Sequence, residues 1–296
     1  MHAHRLVVFL SLLVAATLAE AASTVPLPDW VCTSSDTVFR SGFDAAEMSV
    51  PHDPSNGSGG PYPGDQGRVI AVPGIGNRVY YLHLPTAYMP ARASPLLVAL
   101  HGSAGSPGAA PDYARQVRSD WSSGSDSEGF IVVVPVATGA TGGWNPDTDI
   151  PTIAAALDDT MARYNVERTR IALWGFSSGG HLAHGLALNN TDYFSAYSVS
   201  AGLLEAYACT ENGSPPPSCS ELLSTTQPKI PIDIHLGMFD PLYTDYGAGD
   251  DPARFQAGGW IMGQSLFYTL FPGGHIYTIA QLGEIWTNIC PFALGP

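Results

Sequence analysis

The stretch Ile171-Ala172-Leu173-Trp174-Gly175-Phe176-Ser177-Ser178-Gly179-Gly180-His181-Leu182-Ala183 changes character at its midpoint. Its first four residues form an apolar run of strand type, and from Ser178 to Leu188 the pattern is helical. Between them lies Gly175-Phe176-Ser177-Ser178-Gly179, a serine with glycine two positions away on each side. A strand that turns sharply into a helix strains the backbone at the turn, and a Cβ on the flanking residues would collide with neighbouring main chain. The spacing therefore predicts strand, tight turn and helix, with Ser177 at the helix N-terminus. There the free N–H groups and the dipole favour a developing negative charge, so Ser177 is the candidate nucleophile.

Outward from this point, β-branched, aromatic or apolar runs of strand length recur at 78–84, 95–100, 131–136, 196–199, 230–235 and 266–271. Ile153, Ala156, Leu157, Met161 and Tyr164 make a helical stripe between two of them. Strands apolar on both faces and alternating with helices imply an α/β protein with a mostly parallel sheet covered on both sides. Residues 22–67 are rich in Gly, Pro, Ser and Asp and read as an irregular arm, leaving 68–296 as one catalytic domain.

A serine nucleophile needs a base, and the base an orienting acid, which in this architecture follow in the order Ser, Asp, His. Asp240 comes shortly after the strand ending at His235, and His275 follows the last strand in Phe271-Pro272-Gly273-Gly274-His275. Both fall at carboxyl ends of strands, where ligand sites of parallel sheets collect. Asp245 is the rival acid, while Asp233, inside its strand, reads as structural. His181 and His184 lie three apart on the helix after Ser177, but no third ligand of matching spacing appears, so they read as hydrogen-bonded packing residues rather than a metal pair. His235 is expected to support the acid loop. The oxyanion donors are expected to be the amides of Ser178 and Ser103, with Ala104 the alternative to the latter and His101 bracing their loop. Trp144 and Tyr243 are candidate substrate-pocket walls or core.

The first residues set the expected compartment. Arg5, the uncharged run from Leu6 to Leu18 and Ala19-Glu20-Ala21 have the layout of a secretory signal peptide, 1–21, and the run falls short of the ~20 residues that span a bilayer. An exported chain with four cysteines is expected to pair them, Cys209 with Cys219 around a Gly/Pro-rich loop and Cys32 with Cys290. With 12 basic and 26 acidic residues the net charge is −14, which excludes a nucleic-acid binder, and a hydrophobic content of 45% excludes a disordered acidic tail.

The run Asn77–Ser106 (NRVYYLHLPTAYMPARASPLLVALHGSAGS), Gly143-Trp144-Asn145, Tyr164-Asn165-Val166, the serine turn and Gly273-Gly274-His275 together resemble secreted α/β-hydrolase esterases of the polyhydroxybutyrate depolymerase-like and feruloyl or acetylxylan esterase-like group. The similarity runs over about residues 68–290. It implies an α/β-hydrolase fold and an extracellular carboxylic ester hydrolase acting through an acyl-serine, with no metal and no organic cofactor. The expected substrate is an ester, small or polymeric, for a monomer without nucleic-acid or membrane partners. Ser178 and His181 stand where relatives often carry Asn and Met, and Leu236-Gly237-Met238-Phe239 replaces a more polar turn. Two other functions use the same fold: a serine peptidase of prolyl-oligopeptidase type, which usually carries a large gating domain that has no place here, and a catalytically silent binding module, which would lack a member of the Ser, Asp, His set.

Overall fold

The computed structural model describes residues 37–39, 53–57, 59–60, 63–210 and 217–295. The expected signal segment, Cys32 and most of the irregular arm lie outside the described residues. In chain order the strands are β1 (Thr37–Phe39), β2 (Gly64–Val72), β3 (Gly76–Leu84), β4 (Ser94–Leu100), β5 (Ile131–Pro135), β6 (Val166–Phe176), β7 (Ala196–Ser200), β8 (Ile232–Gly237), β9 (Leu266–Phe271) and β10 (Phe292–Leu294). The helices are α1 (Ala110–Glu128), α2 (Pro146–Arg163), α3 (Ser178–Asn189), α4 (Cys219–Thr225), α5 (Pro241–Thr244), α6 (Asp251–Ala257) and α7 (Ile279–Ile289).

Eight strands form one sheet in the order β2-β3-β5-β4-β6-β7-β8-β9. From β5 to β9 all neighbours run parallel, and β3 and β2 join antiparallel at one edge. Side chains alternate across the sheet as the two-residue strand period requires. Leu96, Val98, Leu100, Ile131, Val133, Ile171 and Leu173 pack with α2 and α3 on one face, whereas Leu97, Ala99, Val132, Val134, Ala172 and Trp174 pack with α1 and α7 on the other. Both faces are thus covered, and function is confined to the sheet edges and loops. β1 and β10 form a separate parallel pair.

Every expected strand is present, though β6 starts at Val166 and β8 runs on to Gly237. Three elements go beyond the sequence reading. β2 begins at Gly64, within the stretch read as an arm, because it is an edge strand with exposed Val69 and polar neighbours rather than an apolar run. α1 carries Gly and several Ser, yet buries Ala110, Ala114, Val117, Trp121, Gly124 and Ser125, a helical stripe of mostly small residues. α7 starts at the capping box of Thr278 and Gln281 and buries Leu282, Ile285, Trp286 and Ile289.

Cys209 and Cys219 are bonded, closing a loop of sequence separation 10 ahead of α4. Cys290 is also disulfide-bonded, while its expected partner Cys32 lies outside the described residues. In the chain-entropy account a loop of this size stabilises the fold by about 3 kcal/mol. The double variant Cys209→Ser, Cys219→Ser should therefore lower the unfolding free energy by about that amount in urea titrations, and an unchanged midpoint would contradict it.

Candidate active site

The carboxyl ends of β4, β6, β8 and β9 lie along one edge of the sheet, and the four loops leaving them bring the site residues together. At the end of β6, Ser177 adopts φ 53° and ψ −120°, a left-handed conformation that costs about 1–3 kcal/mol for a residue with a Cβ. The turn is held by Ser177 N–H donating to Ser200 O at 3.0 Å and by His181 N–H donating to Ser177 O at 2.9 Å. There is no room for side chains on either glycine: a Cβ on Gly175 would meet Gly179 O at 2.2 Å, and one on Gly179 would meet Leu100 O at 2.1 Å.

Ser177 Oγ lies 2.8 Å from His275 Nε2, and His275 Nδ1 lies 2.9 Å from Asp240 Oδ2. With an ionised carboxylate both bonds form only if Nδ1 carries the proton, leaving Nε2 to accept from the serine hydroxyl. Asp240 is fully buried; its second oxygen accepts from Leu242 N–H at 2.8 Å as it caps α5, so the carboxylate is fixed at both ends. Asp245, the rival acid, is exposed at the C-terminal end of α5. The line Ser177, His275, Asp240 can take a proton from the hydroxyl, hold it on the imidazole and stabilise the resulting cation.

The loop after β4 lies directly against this line. A Cβ on Gly102 would come within 3.2 Å of Ser177 Cβ, and one on Gly143 would meet Ser103 Oγ at 2.5 Å and Ser178 Oγ at 2.8 Å. Ser103 and Ser178 therefore converge over Gly143. Ala104 N–H donates to Gly142 O at 3.2 Å and is occupied.

Trp144 is almost fully buried: its indole N–H donates to His101 O at 2.7 Å, and its backbone N–H to Ser178 Oγ at 3.3 Å. It braces the β4 loop and the start of α3 from behind. Tyr243, half-buried on α5, packs over Gly249. Two residues that sequence reasoning missed complete the support. Tyr207 donates its hydroxyl to Trp144 O at 3.1 Å, and buried Asp149 accepts from the N–H groups of Thr138 and Asn145, at 3.1 and 2.8 Å. Tyr207 carries no local signal, because its contact spans a long sequence separation, whereas Asp149 sits in the first turn of α2, four residues after the Asn145 cap.

His101, His181 and His184 are structural. His101 Nε2 accepts from Ala137 N–H, His181 Nδ1 accepts from Leu203 N–H, and His184 Nδ1 meets Tyr197 Oη at 3.3 Å. No group of His, Cys, Asp and Glu able to hold a metal occurs among the described residues. His235 does not reach the acid loop. Its side chain turns under the sheet, because residues two apart on a strand share a face, and its Nε2 pairs with Asp233 Oδ2 at 3.0 Å, both groups being buried. Burial opposes charge on His235, but the charge and hydrogen bond of Asp233, with Glu284, outweigh it and raise its pKa.

Against this geometry, a family model described as BD-FAE matches residues 82–202. A bifunctional acetylxylan esterase/xylanase of Neocallimastix patriciarum is 27% identical over 165 residues, 55% of this chain and 20% of that protein. Feruloyl esterase B of Thermothelomyces thermophilus is 30% identical over 154 residues, 45% of this chain and 48% of that one. This chain thus spans less than half the length of either relative. Among solved structures, a ferulic acid esterase from Anaeromyces mucronatus superposes with a TM-score of 0.55 at 18% identity, covering 80% of this chain and 93% of that one. A protein described as a putative dipeptidyl aminopeptidase IV from Bacteroides ovatus gives a TM-score of 0.59 at 16% identity, covering 77% of this chain and 35% of that one, so the fold alone spans esterases and peptidases. The fold is that of an α/β hydrolase. Over the matched residues the chain is similar in sequence to acetylxylan and feruloyl esterases.

The histidines set the acid limb of stability. Burial depresses His101 to about 4 and His184 to about 3, whereas in the unfolded chain each titrates near 6.5. Unfolding below pH 6.5 takes up these protons, so stability falls as the pH drops from about 6.5 towards 4. Asp251, which burial raises to about 7, works in the opposite direction with one proton, since the fold holds a proton that the unfolded chain releases. Lowering the pH from 6.5 to 4.5 should cost about 2 kcal/mol through His184 alone. His184→Gln should shrink the difference between urea midpoints at those two pH values, and an equal difference in variant and wild type would contradict this.

Proposed function

We propose that the chain is a secreted serine carboxylic ester hydrolase acting on esters of plant cell-wall or polyester type. The observation that carries this reading is the continuous hydrogen-bonded line from Ser177 Oγ through His275 to buried Asp240, with the serine held at φ 53° on a glycine-flanked turn. The names of the relatives support the substrate class.

In this reading His275 removes the proton from Ser177 as its Oγ attacks the ester carbonyl, and the new C–O bond gives a tetrahedral oxyanion held by the Ser103 and Ser178 amides. Asp240 keeps the imidazole in the right tautomer and balances its charge. Collapse breaks the bond to the alcohol, which leaves with the proton from His275 Nε2. Water, deprotonated by the same nitrogen, then releases the acid and restores the serine. Each oxyanion donor is worth about 3–4 kcal/mol in such a transition state. Trp144 acts from behind, by fixing the loop that carries Ser103 and the hydroxyl of Ser178.

The signal-like first 21 residues and the disulfides support export, and among the described residues no helix is long and apolar enough to cross a membrane.

Ser177→Ala should abolish p-nitrophenyl acetate hydrolysis while leaving the thermal transition intact. Asp240→Asn should lower kcat by about 10³–10⁴-fold through the wrong imidazole tautomer. A folded Ser177→Ala protein with undiminished hydrolysis would overturn the reading.

A further inference from the structure

Met238, Phe239 and Ile276 are 43%, 71% and 50% exposed and lie next to the hydrogen-bonded line in sequence: Met238 and Phe239 just before Asp240, Ile276 directly after His275. Their backbone is not loose. Met238 N–H donates to Phe271 O at 2.9 Å, Phe239 N–H to Gly273 O at 2.8 Å and Ile276 N–H to Gly274 O at 3.0 Å. Gly237 lies so close to the β9 loop that a Cβ would meet Gly274 O at 2.3 Å and Gly273 O at 2.4 Å. The loops after β8 and β9 are therefore locked together, and they hold three large apolar side chains towards water on one lip of the site. Large apolar side chains held exposed on two joined loops beside a reactive centre mark a binding site, and side chains on a pre-ordered backbone bind with less further loss of entropy.

The sheet order says which part of a substrate reaches this lip. The oxyanion donors Ser103 and Ser178 follow β4 and β6, whereas Asp240 and His275 follow β8 and β9, on the other side of β7. A carbonyl oxygen directed at the donors points towards β4 and β6. The leaving alcohol oxygen must come within hydrogen-bond reach of His275 Nε2 to take its proton, which brings the alcohol portion to the β8–β9 side.

We propose that Met238, Phe239 and Ile276 form the binding surface for an apolar alcohol portion of the ester, and so set specificity on the leaving-group side. This rests on the ester-hydrolase reading above. The occupant is an alkyl or aryl group attached through the alcohol oxygen; the same surface does not hold the acyl chain.

Two ester series separate these parts: ethyl, butyl and hexyl acetate, which lengthen the alcohol, and ethyl acetate, butanoate and hexanoate, which lengthen the acid. In the wild type kcat/KM should rise along the alcohol series. In Phe239→Ser and in Ile276→Ser the ratio of kcat/KM for hexyl acetate over ethyl acetate should fall about tenfold, the scale on which hydrophobic pockets discriminate. The ratio of ethyl hexanoate over ethyl acetate should stay at the wild-type value, and Phe239→Leu should restore the alcohol ratio. An unchanged alcohol ratio in both serine variants, or a loss along the acid series instead, overturns the proposal while leaving the ester-hydrolase reading intact. A wild type inert towards every ester in both series overturns both.

Discussion

Ser177 can hold φ 53° only because everything around it is fixed first. The conformation is unfavourable for any residue with a side chain, and the fold opposes that cost with the β6–β7 register, which delivers Ser200 O to the Ser177 amide, and with the packing of glycines 175 and 179 against each other and against the end of β4. Without the strain the hydroxyl would point along the strand instead of into the site. The residue directly after β7 shares the burden, since Ala201 also has positive φ, at 50°, and donates its N–H to His235 O at 2.8 Å. The turn, the ends of three strands and the two loops bearing Asp240 and His275 thus form one constrained unit.

Below that unit the protein keeps polar groups in its interior in two different ways. His101 and His184 stay neutral, with burial suppressing their charge; His101 engages Ala137 N–H and Gly102 O through its two ring nitrogens, and His184 engages Tyr197 through one. Asp233 and His235 instead make a buried pair on β8, the strand that leads into the acid loop. A buried pair of this kind adds little net stability, but removing one partner leaves an uncompensated buried group. The low proportion of charged residues, 13%, agrees with a chain that reserves them for a few such positions and for its acidic surface.

Much of this was legible in the sequence because it is local. Gly175, Ser177 and Gly179 announce their turn by spacing, and Asp240 and His275 follow apolar strands whose direction the parallel architecture dictates. The ends of elements and the supporting contacts were not legible. α1 hides its buried stripe among serines and glycines, and β2 is too polar on its outer side to read as a strand. Tyr207 acts on Trp144 across a long sequence separation, which no short-range pattern encodes, whereas Asp149 acts on the same loop from four residues beyond Asn145. His235 misled because its position at a strand end suggested the loop, whereas the two-residue period sends its side chain to Asp233.

The central claim is that Ser177 is the one hydroxyl made nucleophilic by its neighbours. Labelling the folded protein with a fluorophosphonate and mapping the modified peptide by mass spectrometry tests it most directly. The account predicts a single stoichiometric adduct on the peptide containing Gly175-Phe176-Ser177-Ser178-Gly179, located on Ser177 and absent when His275 is replaced by Ala. An adduct on Ser178 or Ser103, or no adduct on a folded and disulfide-intact protein, would contradict it.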